Sequence, residues 1–310
     1  PFAAGTGYNL LHQHVHGKGV FHNSQFVKGG TGELAQVLAS IAESNNVEIR
    51  TGSKVKSIDV ENGRCSGISL TGGELIQADR VVSGLDPKNT FMNLVGTSNL
   101  NPNFHTQLNN IRYRGSTARV HFALNKLPEI NGILKDQMKT VFSIGPSIEY
   151  QERASDSVKY GTIANNPTVE FTIPSLINHE FAPDGKHVLS ATIQYAPYHL
   201  RDQVWSSELN EQIKNNVVRV LDNYIPDFSS LIEATSVLSP KDLENEFGLT
   251  EGNLNHGEMT LDQFFFMRPT MSTAQYKSPI ENLYLCGPGT HPGGGLHGTN
   301  GFNAAREILK

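Results

Sequence analysis

The sequence is poor in cysteine, with Cys65 and Cys286 alone among 310 residues and no C-x-x-C spacing. That excludes a disulfide-stapled scaffold, a dithiol redox pair and a zinc knuckle, and leaves both thiols as small buried hydrophobes suited to a reducing compartment. No G-x-S-x-G, H-E-x-x-H or P-loop is present, so the chain lacks those nucleophile–base sets and phosphate cradles. No apolar run approaches the ~18 residues that cross a membrane as a helix, and no signal-peptide pattern opens the chain. Twenty-five Lys plus Arg against 30 Asp plus Glu give a formal charge of −5, and without a basic tract a nucleic-acid footprint is not expected. Repeats of fixed period and low-complexity linkers are also missing. The opening Pro1-Phe2 without a methionine reads as a fragment or a processed product, which leaves the compartment and the oligomeric state unread.

What the chain does have is glycine, 29 in all, densest in its last stretch, Asn282 to Lys310. Leu283, Tyr284, Leu285 and Cys286 predict a buried strand, and Phe302, Ala305 and Leu309 fall at helical spacing. The loop between them holds Gly287, Gly289, Gly293, Gly294, Gly295 and Gly298. Missing Cβ atoms let a main chain approach something flat or phosphorylated, and Thr299 or Asn300 is expected to cap a helix whose N-terminus favours an anion. His291 and His297 flank the triple glycine as the nearest titratable groups, with loop fixing and proton transfer both open to them.

Earlier, Leu34, Val37, Leu38 and Ile41 predict a helix with Thr31 as N-cap. Strands are expected over 47–50, 55–60, 65–70 and 74–78, divided by Gly52, Asn62-Gly63 and Gly72-Gly73, with a further buried strand over 80–83. Gly30-x-Gly32-x-x-Ala35 formally matches a dinucleotide fingerprint, but the polar stretch before it and the meander after it argue against a Rossmann start. Further strands are expected over 118–124, 140–144, 168–173 and 187–195, and a helix over 208–224. Phe264, Phe265 and Phe266 form an apolar cluster open to a core or a cavity-lining role. Arg268 is open to a surface ion pair or to an anionic ring edge, with His256 and Asn253 as further candidates. His12, His14 and His16 share one face of a strand, a spacing that ligates zinc or iron, although no carboxylate stands nearby to complete a site.

The order of residues in LYLCGPGTHPGGGLHGTNGFNAA (283–305), GTGYNLLH (5–12), FVKGGTGEL (26–34), FGLTEGN (247–253) and MTLDQFFFMRP (259–269) resembles that of the FAD-dependent phytoene-dehydrogenase-like oxidoreductases. The resemblance implies an α/β (mixed α+β) fold. An incomplete FAD-binding domain, 27–90 with 276–310, would interleave with a substrate domain of 1–26 and 91–275 built on a mixed sheet. It implies FAD in the complete protein, contacted by Gly29, Gly30, Val55, Gly287, Gly289, Thr290, Gly293, Gly294, Gly295, Leu296 and Asn300. Phe264, Phe265 and Phe266 would face the substrate, and His291, His297 and Arg268 stand as catalytic candidates. It implies hydride transfer from a mostly apolar small molecule, with peripheral membrane association open to it, and a fragment that is inactive alone because its N-terminal Rossmann unit is missing. The alternatives are a non-catalytic binding or scaffold protein that keeps the fold, and a metal-dependent hydrolase using the N-terminal histidines.

Overall fold

The computed structural model describes residues 7–8 and 26–310, so the histidine triplet at 12, 14 and 16 lies outside the described residues. In chain order the first elements are α1 (Thr31–Ser44), β1 (Val55–Glu61), β2 (Arg64–Leu70), β3 (Leu75–Gln77), β4 (Val81–Ser83) and α2 (Pro102–Asn109). There follow β5 (Thr117–Leu124), β6 (Phe142–Ile144), α3 (Ile148–Tyr160), β7 (Thr168–Thr172), β8 (His187–Gln194), α4 (Ser207–Asp222) and α5 (Phe228–Leu231). The last are β9 (Ile232–Leu238), α6 (Pro240–Phe247), β10 (Leu283–Leu285) and α7 (Thr299–Ile308). The class is mixed α and β. Its contacts gather into two compact units, Pro1–Ile49 with Gly115–Leu243, and Arg50–Arg114 with Glu244–Lys310.

The first unit is built on a five-stranded sheet in the order β6-β7-β8-β5-β9, antiparallel throughout. Its interior strand β5, between β8 and β9, alternates strictly: Ala118, Val120, Phe122 and Leu124 point into the core while Thr117, Arg119, His121 and Ala123 lie on the half-buried face. Period-two alternation of this kind lets one face bury itself while the ladder satisfies the backbone. Helix α4 sets Leu209, Ile213, Val217, Val220 and Leu221 on one buried stripe, and the last four join the cluster under the sheet. By contrast α1 has no buried residue, and Val37, Leu38 and Ile41 of its apolar stripe stay exposed at 47, 58 and 53%. Its N-cap is Gly30, at φ +87°, in place of the expected Thr31.

The second unit contains the meander β1-β2-β3 and a parallel pair in which β10 lies beside β4. Asn62 and Gly63 turn the first hairpin with φ of +51° and +79°, the two positive values a tight two-residue turn demands. Ile58, Cys65, Phe91, Phe104, Leu108, Ile280, Leu283 and Leu285 form its core. Cys65 is thereby a buried hydrophobe, and burial pushes its thiol above the ordinary range; Cys286 is half-buried. The expected strands β1 to β8 and β10 form, and β9 forms where none was expected. The stretch 47–50 does not: Val47 and Ile49 alternate correctly yet stand 50 and 44% exposed, with no ladder partner among the described residues.

Candidate functional site

The glycine loop leaves β10 at Cys286 and enters α7 at Gly298, within the second unit. Its first half is stitched to itself: the Thr290 amide and hydroxyl both donate to the Gly287 carbonyl, at 3.0 and 2.8 Å, and the Gly293 amide donates to the Thr290 carbonyl at 2.8 Å. Asn300 faces inward, its amide donating to the Thr290 carbonyl at 3.0 Å and the Gly287 carbonyl at 3.3 Å. It ties helix to loop and does not cap the helix, contrary to expectation. The N-cap is Gly298, with no side chain bonded across it. Instead the Thr299 amide donates to Nδ1 of His297, whose Nε2 lies 3.3 Å from the Gly294 carbonyl. Tyr276 donates its hydroxyl to the His291 carbonyl, and the His291 ring lies 5.6 Å from that of Phe265.

The glycines fall into two sets. At Gly287, Gly289, Gly293 and Gly294 an added Cβ would come within 2.3 Å of the Gly84 carbonyl, 2.8 Å of Pro87, 2.5 Å of Met259 and 2.0 Å of Asn255 Oδ1 respectively. These positions are bare because other segments of the same unit already fill the space. At Gly298 and Gly301 nothing lies within 4 Å, and at Gly295 the nearest group is the ring of His297 in the same loop. Residues 295 to 298 are exposed, Leu296 at 81%. The open, side-chain-poor face is therefore the second half of the loop with the first turn of α7.

Beneath the loop lies Arg268, 2% exposed. Its guanidinium donates to carbonyl oxygens only: Pro288 from Nε and Nη2 at 3.1 and 2.9 Å, Glu258 and Gln263 from Nη1, and Gly257 and Asn255 from Nη2. It neither pairs with a surface Asp nor reaches solvent. Burial brings its pKa down to about 10. Asn253 accepts the amides of Asn255 and Gly257 at 2.9 and 3.1 Å, which shapes the segment that Arg268 holds. His256 presses its ring against the loop, with Nδ1 3.3 Å from the Cβ position of Gly287, and that nitrogen is buried without a partner. Burial, reinforced by the nearby Arg268 charge and opposed by Asp86, lowers its pKa, so it is neutral at neutral pH.

Asp86 was not legible as a site residue. It is 1% exposed and accepts from the Asn89 amide and side chain, the Tyr113 hydroxyl and the Thr250 hydroxyl. An Asp before a proline reads as a turn, and nothing in its neighbourhood signals that Tyr113 and Thr250 converge on it. Burial beside this carboxylate raises the Tyr113 pKa far above its usual value.

The three phenylalanines part company. Phe264 is core, at 1% exposure, while Phe265 and Phe266 are 42 and 66% exposed. Both line a cavity of about 870 Å³ with Met271, Tyr276, His291 and Arg306. Gly29 and Gly30 belong to the first unit, where the Gly29 amide donates to Asn178 Oδ1 at 2.7 Å, and a Cβ on Gly30 would strike Phe181 at 2.6 Å. Val55 opens β1 and is half-buried. Among the described residues no group of three His, Cys, Asp or Glu is placed to hold a metal, and no helix is long and apolar enough to cross a membrane.

The geometry fits a flat, negatively charged group: an exposed glycine-rich face, a helix N-terminus whose first amide is taken by the His297 ring, and a buried cation under the first half of the loop. A model of the flavin-containing amine oxidoreductases matches residues 10–309. The rat pyridine nucleotide-disulfide oxidoreductase domain-containing protein 2 is 33% identical, over 100% of this chain and 55% of its own length. A lycopene-forming phytoene desaturase of Paracoccus sp. is 27% identical, over 97% of this chain and 57% of its own. Among solved structures, an oxidoreductase from Methanosarcina mazei superposes with a TM-score of 0.57 at 16% identity, over 91% of this chain and 55% of that one. A redesigned putrescine oxidase gives 0.53 at 13% identity, over 91 and 52%; both likenesses are of fold. The chain spans about half the length of the curated relatives it matches.

Proposed function

This chain belongs to the family of flavin-containing amine oxidoreductases, and from that premise we propose that it is the C-terminal part of an FAD-dependent, phytoene-dehydrogenase-like oxidoreductase that takes hydride from a mostly apolar small molecule. The single observation that carries the reading is the exposed, glycine-rich face of residues 295–298 leading into the first turn of α7, with open space at the Cβ positions of Gly298 and Gly301. Gly295, Leu296 and the first turn of α7 beyond Thr299 would meet the flavin ring, and Val55 of the same unit another part of FAD. Residues 27–90 with 276–310 would serve the cofactor, and 1–26 with 91–275 the substrate. When bound, the flavin supplies the hydride acceptor.

The chain's own residues supply position and field. Thr290 and Asn300 fix the loop against the helix. The helix N-terminus favours negative charge in front of it, and it does so without reorganising, because its amides are already aligned. Phe265, Phe266 and Met271 give the cavity an apolar wall that a hydrocarbon substrate would cover, with water leaving as it binds.

The test is a flavin absorbance spectrum of the purified complete protein, followed by anaerobic addition of conjugated polyenes and other apolar candidates. Bound flavin that bleaches on addition supports the reading. A correctly folded complete protein that holds no flavin overturns it.

A further inference from the structure

We propose that Arg268 is a positioning residue for the bound ring: a buried cation with no carboxylate of its own, held under the glycine loop so that an anionic form of the ring is favoured. The inference rests on the flavin reading above. Its first support is what the guanidinium does not touch. All its donors end on the carbonyls of Asn255, Gly257, Glu258, Gln263 and Pro288, although the carboxylates of Glu258 and Asp86 belong to the same unit. Glu258 turns its carboxylate to Arg112 and Arg114, and Asp86 is engaged by Asn89, Tyr113 and Thr250.

Burying a charge without an opposite one is costly. The five carbonyls take up the donors of the whole guanidinium, more than the two that a neutral amide such as Gln263 or Asn300 offers here, so this clamp brings a positive charge with it. That charge acts beyond the segment it ties. Its field reaches the loop by a short route. The Pro288 carbonyl accepts two of its bonds, and a carbonyl so engaged polarises its peptide, leaving the amide N–H at the other end, that of Gly289, more positive. Nε also lies 3.7 Å from where a Cβ on Gly293 would stand. The cation and the α7 N-terminus thus act with the same sign on the loop between them.

Sulfite is the probe, because it adds reversibly to N5 of an oxidised flavin and leaves negative charge on the ring. In the complete flavin-loaded protein, Arg268→Lys keeps the charge and loses part of the bonding, whereas Arg268→Met loses both. Both variants are expected to melt at lower temperature. Only Arg268→Met is expected to weaken sulfite binding, by about tenfold or more, as removal of one nearby charge from a low-dielectric site predicts. Should Arg268→Met fail to fold, the pair Met259→Glu and Met259→Gln replaces it. The Met259 thioether ends beside the same Gly293 position, with Cε 2.5 Å and Sδ 2.8 Å from it, so the glutamate neutralises the guanidinium without cutting its carbonyl bonds. Weaker sulfite binding in Met259→Glu than in Met259→Gln supports the role. Equal binding within either pair overturns it while leaving the flavin reading intact, and a wild-type protein without flavin overturns both.

Discussion

At Gly294 and Gly301 the same residue type answers two different needs. Gly294 is bare because Asn255 Oδ1 would stand 2.0 Å from its Cβ, so Gly294→Ala should destabilise the chain by about 1–3 kcal/mol through overpacking. Adding Asn255→Gly to that variant should recover most of the loss in urea unfolding; no recovery would mean that the crowding lies elsewhere. Gly301 sits in the first turn of α7 with nothing within 4 Å of its Cβ position. Gly301→Ala should therefore raise stability by about 0.5–1 kcal/mol, the usual helix preference of alanine over glycine. A measured loss would show that the open space is not there. This difference was invisible in the sequence, where both read as glycines of one loop, because it is set by residues such as Asn255 and Met259 tens of positions away. Arg268 was likewise legible as a candidate, but not its company of carbonyls, since backbone acceptors leave no mark in a residue pattern.

Among the elements, strands declared themselves more plainly than helices. β5 was read from its alternation and the first hairpin from Asn62-Gly63, since both signals are local. Helix α3 was missed although Ser147 caps it, accepting the Tyr150 amide at 3.1 Å, and Gly161 ends it at φ +64°. It buries only Ala154, so it carries almost no apolar stripe. α1 is the reverse case, a clear stripe with no buried residue among those described. The two helices should respond oppositely to truncation. Leu221→Ala in α4, at 0% exposure, should cost about 2–5 kcal/mol through the lost transfer energy and the cavity left behind. Leu38→Ala in α1, at 58% exposure, should stay within about 0.5 kcal/mol. The uncovered stripe should also bind anilinonaphthalene sulfonate, and a triple change of Val37, Leu38 and Ile41 to glutamine should abolish most of that fluorescence without altering the cooperative transition.

For the whole molecule, the titrating histidines give a sign to its pH response. His256, His121 and His187 all have pKa values lowered chiefly by burial. A lowered folded-state value means that the unfolded chain binds protons more readily. Stability is then complete above the ordinary histidine pKa near 6.5 and is lost as pH falls through that value toward the folded one. Urea midpoints should decline from pH 7.5 to 5.5, and His256→Gln should make the decline shallower; an unchanged slope would remove His256 from this account. Class and family were legible because the final motif keeps its residues in order over a contiguous stretch, whereas the two compact units each join segments far apart in sequence. That discontinuity bears on the protein engineer. Residues 286–298 transplanted alone into a foreign scaffold would arrive without Gly84, Pro87, Asn255, Met259 and Arg268, the mould against which the loop is cast, so a working graft must carry all three stretches or rebuild the mould.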